Sequence, residues 1–146
     1  MTIIVDANIL ISALINPSGK EASIILDNNA KVEFIAPDII YTEVLAKKNK
    51  IIAGSHHTEI TFEKSRLLLF SPITVLSVDK FDPDVLKVAE ELTYSIDKKD
   101  TQYIAISIFL EGLLWTGDLK LLRALKRKGY NQIITTSDFE QILKGL

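Results

Sequence analysis

Residues 2–14 read TIIVDANILISAL, and this segment decides the fold class. Thr2–Val5 is a short β-branched run that predicts a strand. Ile9–Leu14 is predicted to be the helix that follows it. Asp6 stands between the two, directly after the strand. A strand that passes into a helix within a few residues predicts an α/β fold wherever the chain repeats the pattern.

The rest of the chain repeats this alternation of strands and helices. The predicted strands are Thr2–Val5, Val32–Ile35, Ile73–Val78, Leu113–Thr116 and Gln132–Thr135. The predicted helices are Ile9–Leu14, Glu21–Asn28, a helix opened by Pro37 that carries Ile39, Ile40, Val44 and Leu45, then His57–Phe70, Pro83–Leu92, Asp100–Leu110, Leu119–Lys128 and Ser137–Leu143. Five short apolar strands separated by helices predict a parallel sheet covered by helices on both faces.

Length and composition narrow the class of protein. The 146 residues match one domain of about 100–200 residues, so residues 1–146 are expected to form a single domain. The absence of Cys excludes disulfides, thiolate nucleophiles and Cys-bound zinc. The N-terminus lacks the basic segment of a signal peptide, and the longest apolar run, around Tyr103–Leu110, is too short to span a bilayer. A cytoplasmic protein is therefore expected.

Acidic side chains fall where a parallel sheet binds its ligands, outside the carboxyl ends of the strands. Asp6 follows the first strand and Asp118 follows the fourth. Asp100 opens the apolar helix before the fourth strand, and Asp97 precedes it by one turn. Glu43 lies on the apolar side of the helix after the second strand, where a carboxylate needs a partner or a metal.

Helix capping competes with catalysis as an explanation for the Asp residues. Each of them stands at a predicted helix start, where Asp is a preferred N-cap residue. Capping does not explain Glu43, which lies in mid-helix. Ser137 with Glu140 three residues later is a capping-box pattern, which explains the nearby Asp138 without catalysis. The adjacent His56 and His57 are predicted to be exposed rather than to bind metal.

The chemistry of the acid set favours a hard cation. Carboxylates from four distant segments are hard to bring together without a cation that offsets their repulsion. A Cys-free, His-poor and carboxylate-rich set suits Mg²⁺ or Mn²⁺. Two such ions can activate water and stabilise the leaving oxygen in phosphodiester hydrolysis. Because the net charge is only −2, contacts to nucleic acid would depend on local basic patches.

Four segments resemble PIN-domain proteins, particularly prokaryotic toxins of toxin–antitoxin pairs. They are VDANILISAL at 5–14, APDIIYTEVL at 36–45, DKKDTQYIA at 97–105 and LWTGDLKLL at 114–122, in the expected order. The resemblance implies a three-layer α/β/α sandwich around a parallel sheet of about five strands. It also implies an endoribonuclease that depends on Mg²⁺ or Mn²⁺.

The resemblance assigns roles to residues by their positions in these segments. The metal-binding and catalytic acids would be Asp6, Glu43, Asp100 and Asp118. Asn8 and Thr116 match polar positions beside the site, and Asp97 is an additional acid that some relatives have. RNA-backbone contacts are expected from nearby basic side chains: Lys98, Lys99, Lys120 and Arg123. The family further implies a homodimer or higher homo-oligomer and a small antitoxin protein.

Three alternatives stay open at the level of sequence. A non-catalytic module that binds RNA or an antitoxin would carry the same motifs. A Mg²⁺-binding receiver-type signalling domain would use Asp79 after the third strand, but it needs an acidic pair where Asp6 stands alone and a Lys where residues 135–137 are Thr-Thr-Ser. A haloacid-type phosphatase would have a second Asp where Asn8 stands.

Overall fold

The computed structural model describes residues 1–27 and 29–146. Over these residues the strands form one parallel five-stranded sheet in the order β3-β2-β1-β4-β5. The strands are β1 (Thr2–Val5), β2 (Glu33–Pro37), β3 (Ile73–Leu76), β4 (Leu113–Trp115) and β5 (Ile133–Ile134). Helices flank the sheet, so the prediction of a three-layer α/β/α sandwich with about five parallel strands is confirmed.

Helices connect successive strands and pack on the sheet. In the described part of the chain they are α1 (Ala7–Ile15), α2 (Lys20–Leu26), α3 (Ile39–Ala46), α4 (Lys48–Ala53), α5 (Glu59–Phe70), α6 (Pro83–Thr93), α7 (Thr101–Leu110), α8 (Leu119–Arg127) and α9 (Thr136–Lys144), with a 3₁₀ turn at Lys98–Asp100. Helix α7 packs across β1, β2 and β4, and α1 packs against α2, α3, α4 and α5. No single helix among the described residues is long and apolar enough to cross a membrane; only α1 and α2 together, bent by 107° at their break, reach that length and composition.

Strand β1 is the centre of the sheet and of the core. Its residues Ile3, Ile4 and Val5 are fully buried, as expected for a parallel strand covered on both faces. On one side Ile4 pairs with Ile35, and on the other it pairs with Leu114. The first and fourth strands are therefore neighbours, and the acids that follow them are brought together.

The turn between α7 and β4 fixes this pairing. Glu111 ends α7 in the left-handed conformation, with φ 53°. At Gly112 a side chain would collide with Ile4 and with the backbone of Thr2, because a Cβ would lie 2.5 Å from Ile4 Cδ1. Glycine therefore lets β4 approach β1 closely.

The buried indole of Trp115 anchors the end of β4. Its ring lies 5.0 Å from Phe139 and 6.2 Å from Phe34, centroid to centroid. Its Nε1–H donates to Thr136 Oγ1 at 3.0 Å, so the indole is packed and satisfied at once. Because Trp115 precedes the loop that carries Asp118, this packing holds one side of the candidate site.

Several predicted boundaries differ from the structure. Pro37 does not open a helix: it ends β2, paired with Leu76, and α3 begins at Ile39. Pro37, which has no N–H to donate, fits at the end of β2 because only β3 pairs with it there, whereas the pairing of β2 with β1 stops at Ile35. Helix α2 begins at Lys20 and ends at Leu26, whereas the predicted helix ran to Asn28, which lies outside the described residues. Helix α4 (Lys48–Ala53) was missed because its sequence has no capping signal at its start.

Two local predictions about caps and histidines also need correction. The capping box of α9 joins Thr135 and Asp138, not Ser137 and Glu140, because β5 already ends at Ile134. Asp138 is nevertheless structural, as predicted: its Oδ2 accepts from the Thr135 N–H at 3.0 Å.

His57 is half-buried rather than exposed. Its Nε2 lies 2.7 Å from the carbonyl oxygen of Leu14, and its Nδ1 lies 3.0 Å from Thr61 Oγ1. The ring therefore ties the end of α1 to the start of α5, while its neighbour His56 is exposed. Such a contact could not be seen in the sequence, because residues 14 and 57 meet only in the folded chain.

Candidate carboxylate site

A cleft of about 1010 Å³ opens beside the carboxyl ends of β1 and β4. All four acids that were expected to bind metal line it, as does the additional acid: Asp6, Glu43, Asp100, Asp118 and Asp97. They come from the ends of β1 and β4, from α3, and from the turn before α7. The sheet order explains the convergence, because β1 and β4 are neighbours and β2 leads into α3 on the other side of β1.

Asp6 is the deepest of these acids, with 5% of its surface exposed. Its Oδ2 accepts hydrogen bonds from Thr116 Oγ1 at 2.7 Å and from Asn8 Nδ2 at 3.0 Å. Asn8 Oδ1 in turn accepts from the Gly117 N–H at 2.9 Å. Asn8 and Thr116 thus lie beside the site, where they were expected. Together they fix the orientation of Asp6 and leave its Oδ1 without a side-chain hydrogen bond from any described residue.

Capping explains two of the Asp residues but not the other two. Asp118 Oδ1 accepts from the Leu121 N–H at 3.1 Å and caps α8. Asp97 Oδ1 accepts from the Lys99 N–H at 3.0 Å and caps the 3₁₀ turn. Asp6 and Asp100 occupy N-cap positions, yet neither side chain makes a cap hydrogen bond. Because a cap bond uses only one carboxylate oxygen, Asp118 and Asp97 also retain acceptor capacity.

Glu43 is held by a residue that the sequence did not single out. The Tyr103 hydroxyl donates to Glu43 Oε1 at 2.8 Å. Tyr103 lies on α7 with 1% of its surface exposed, and burial raises the pKa of its hydroxyl, which therefore stays protonated. A phenol on the mostly apolar helix α7 indicates a hydroxyl that needs a hydrogen-bond partner, but that partner lies 60 residues away along the chain.

The acids form one electrostatic cluster. Burial raises the pKa of Asp6 to about 6. Burial also raises the pKa of Asp100 to about 7, and repulsion adds to the effect from four other carboxylates: Asp6, Asp97, Asp118 and Glu43. The pKa of Glu43 is raised by burial, which the Tyr103 hydrogen bond and the charge of Lys99 partly offset. Near neutral pH the cleft therefore gathers negative charge that the protein neutralises only in part, and a cation would relieve it.

A sequence model of the PIN domain matches residues 4–137. The chain belongs to the PIN-domain family. PIN domains are generally nucleases that depend on divalent metal ions. Among solved structures, a chain in the crystal structure of VapBC2 from Rickettsia felis, bound to a DNA fragment from their promoter, is similar. Its TM-score is 0.60 at 15% identity, over 92% of this chain and 97% of that chain, which shows a shared fold. No curated protein matches the sequence.

Membership in the PIN family excludes two of the alternatives. A receiver-type domain and a haloacid-type phosphatase belong to other families. The position of Asp79 agrees with this exclusion, because Asp79 does not line the cleft. It follows β3, which lies at the edge of the sheet and is separated from β1 by β2. The non-catalytic PIN module is the alternative that persists.

The donor set of this PIN domain fits a hydrated hard cation. Among the residues the structure describes, no three acidic or histidine side chains lie close enough to enclose an ion by themselves. Mg²⁺ usually keeps several waters and is bound through one or two carboxylates plus substrate phosphates, so a closed cage is not required. The donors are all oxygens, and their mutual repulsion favours a positive charge among them. The residues present therefore fit Mg²⁺ or Mn²⁺.

Basic side chains surround the acids on the cleft walls. Those that line it are Lys47, Lys99, Lys120, Arg127 and Lys128. Of the four basic residues expected to contact RNA, Lys99 and Lys120 line the cleft, whereas Lys98 and Arg123 do not. Helical spacing explains the difference on α8. Residues turn by about 100° each around the axis, so the lining residues 120, 121, 124, 127 and 128 fall on one arc with 124 near its centre, and residue 123 lies just beyond its edge.

Without metal, this PIN domain is expected to be more stable at about pH 5 than at about pH 8. In the folded state, Asp6 and Asp100 have pKa values of about 6 and about 7, against 3.8 for an ordinary Asp. Between the ordinary pKa of 3.8 and the raised pKa values, the folded protein binds more protons than the unfolded chain. The free energy of unfolding therefore falls as pH rises through this interval. The melting temperature in EDTA should drop by roughly 5 °C across this interval.

Thermal unfolding in EDTA at a series of pH values measures this effect. Asp79→Asn is the matched control, because Asp79 is exposed and lies outside the cleft. It should show the same dependence on pH as the wild type. A melting temperature that increases from about pH 5 to about pH 8 would contradict the expected sign.

Proposed function

We propose that this PIN domain is a metal-dependent endoribonuclease that hydrolyses RNA phosphodiester bonds. The observation that carries the proposal is the convergence of four acids from separate segments on one cleft: Asp6, Glu43, Asp100 and Asp118. Family membership supports a nuclease, since PIN domains generally have that activity. The raised pKa of Asp100 supports metal binding, because the carboxyl is buried and four other carboxylates repel its charge.

Asp6, Glu43, Asp100 and Asp118 would hold a divalent ion, which when bound would supply an activated water and positive charge beside the scissile phosphate. The chain prepares this site by fixing its carboxylates. Thr116 and Asn8 hold Asp6 in one orientation, and Tyr103 holds Glu43. Such preorganisation lowers the cost of arranging charges during the reaction.

The neighbouring basic side chains would bind the RNA substrate. Lys99 and Lys120 line the cleft beside the acids. They would hold the RNA backbone by electrostatic attraction, which is largely independent of sequence and weakens with salt.

We further propose a role in a toxin–antitoxin pair, with this chain as the toxin. The shared fold with a chain of VapBC2, which was crystallised with DNA from the VapBC2 promoter, supports a protein partner of that kind. Exposed apolar side chains on α5 support assembly into a homodimer or with an antitoxin: Ile60 is 69%, Leu67 63% and Leu68 57% exposed. Residues 1–146 would act as one catalytic domain in the cytoplasm.

Incubation of the purified protein with mixed RNA in Mn²⁺, Mg²⁺ or EDTA tests the proposed activity. Cleavage with at least one of the two ions, none in EDTA and recovery when metal is added back are the expected results. Equal cleavage in EDTA would refute the metal-dependent mechanism. Binding of RNA without cleavage under all conditions would replace the nuclease by the non-catalytic module.

A further inference from the structure

We propose that the cleft contains a second RNA subsite, at the C-terminal end of α8, where Arg127 binds a backbone phosphate and Tyr94 stacks on a base. The choice of single-stranded RNA as ligand rests on the proposed function. The subsite lies away from the site of hydrolysis and would hold the strand on one side of the scissile bond.

Helix α8 runs from the site of hydrolysis to the proposed subsite. It begins at its N-cap Asp118, among the acids, and ends at Arg127. The rise of 1.5 Å per residue places Arg127 about 13 Å along the helix from Asp118. Residues 120, 124 and 127 all line the cleft, so α8 forms a wall with Lys120 near the acids and Arg127 at the far end.

Arg127 has the properties of a phosphate-binding residue. Its side chain is exposed and makes no ion pair with any described residue. A guanidinium group binds phosphate oxygens in a bidentate manner and keeps its charge at all relevant pH values. Its neighbour Lys128 is engaged differently, since its Nζ donates to the Leu92 carbonyl at 2.7 Å.

The Lys128–Leu92 hydrogen bond also places Tyr94 next to this end of the cleft. Tyr94 follows Leu92 by two residues, at the end of α6, and directly precedes Ser95 and Ile96, which line the cleft. Its side chain is 90% exposed, more than any other large apolar side chain in the described part of the chain. A ring with so little packing contributes almost nothing to the core but is available to stack on a base.

The lining of the cleft makes Tyr94 the available stacking residue. None of the described residues that line the cleft is aromatic. Non-specific binders of single strands combine a basic groove with aromatic rings on which bases stack. Here the cleft supplies the basic groove, and Tyr94, which directly precedes the lining residues Ser95 and Ile96, supplies the ring.

The distance along α8 from Asp118 to Arg127 sets the length of RNA that can reach both the acids and the proposed subsite. A stacked strand advances about 3.4 Å per nucleotide. The distance of about 13 Å along α8 therefore corresponds to roughly four stacked nucleotides between the scissile phosphate and Arg127, and to fewer when the strand is extended.

A purely structural role for Arg127 makes a different prediction. Arg127 lies in the last turn of α8, where a positive charge interacts favourably with the helix dipole. Arg127→Gln would then lower the melting temperature slightly and leave RNA binding unchanged. The salt dependence of RNA affinity separates the two roles, because only a phosphate contact contributes to it.

The test measures binding of a labelled single-stranded RNA of about 12 nucleotides, in EDTA, at salt concentrations from about 50 to 200 mM. Arg127→Gln should weaken binding about tenfold and reduce the slope of log affinity against log salt by about 0.7. Arg123→Gln is the matched control on the same helix, outside the cleft, and should change neither quantity. Tyr94→Ala should weaken binding about tenfold with an unchanged slope, and Tyr94→Trp should restore it.

Cleavage of the same RNA in Mn²⁺ separates this inference from the proposed activity. RNA that binds with these signatures but is not cut would refute the nuclease and leave the subsite in place. RNA that is cut by the wild type, and bound equally by Arg127→Gln and Arg123→Gln, would overturn the subsite and leave the nuclease. No measurable RNA binding by the wild type would also overturn the subsite.

Discussion

Asp6→Asn is expected to lower the rate of RNA cleavage on the order of 1,000-fold while the fold stays intact. Both side-chain hydrogen bonds to Asp6 converge on Oδ2, and an amide oxygen can accept them in the same place. The other oxygen, Oδ1, would be replaced by an NH₂ group that repels a cation. The substitution therefore removes charge and metal affinity from the deepest carboxylate and keeps both side-chain hydrogen bonds to it.

Cleavage rates of the wild type and Asp6→Asn, with unfolding curves for both, measure this effect. Asp79→Asn makes the same chemical change outside the cleft and should cleave RNA like the wild type. Its full activity would also agree with the exclusion of a receiver-type mechanism. An Asp6→Asn protein that keeps more than about a tenth of the wild-type rate would remove Asp6 from the metal site.

The sheet could be predicted from sequence because each strand carries its own local signal. Thr2–Val5 and Leu113–Trp115 are short apolar runs bounded by acids, glycine or polar turns, and they were found within one residue of their true ends. Pro37 was misplaced because its role depends on pairing with Leu76, and no local pattern reports a partner in another strand. The cap of α9 was misplaced for a related reason, since the short β5 ends where the sheet stops pairing.

The location of the acids could also be predicted, since the rule for parallel sheets gives the edge at which ligands bind. The residues that orient the acids could not be predicted equally well. Thr116 and Asn8 were found because they match polar positions of the PIN-domain motifs, two residues from Asp118 and Asp6. Tyr103 was missed because its hydrogen bond to Glu43 depends on how α3 and α7 pack.

The basic residues of α8 could be assigned to the cleft only in part from the sequence. The sequence placed a cluster of cations on α8, and the candidates chosen from it were Lys120 and Arg123. The structure places Lys120 on the cleft wall, but Arg127 lies there in place of Arg123. Helical spacing tells which of two such residues faces a ligand only when the side of the helix that faces the ligand is known. That side depends on where the buried Leu121 and Leu125 pack.

Asp100→Asn is expected to have opposite effects on stability and on activity. The pKa of Asp100 is raised to about 7 by burial and by four neighbouring carboxylates, so its charged form is disfavoured in the metal-free protein. The neutral, nearly isosteric Asn removes that repulsion, and no cap hydrogen bond is lost because Asp100 makes none. In EDTA at about pH 8 the melting temperature should rise by roughly 3–6 °C.

The same substitution should reduce cleavage on the order of 100-fold or more and weaken the stabilisation by Mn²⁺, since it removes a carboxylate donor. The gain in stability should be smaller at about pH 5 and should vanish below about pH 4, where Asp100 is protonated in both the folded and the unfolded wild type. Asp97→Asn is the comparison, as Asp97 caps the 3₁₀ turn through Lys99 and should gain no such stability. A lower melting temperature for Asp100→Asn in EDTA at about pH 8 would show that attraction rather than repulsion governs Asp100. Undiminished cleavage would place Asp100 outside the metal site, and the two results together would mean that the carboxylates gather in the cleft for a reason other than binding a cation.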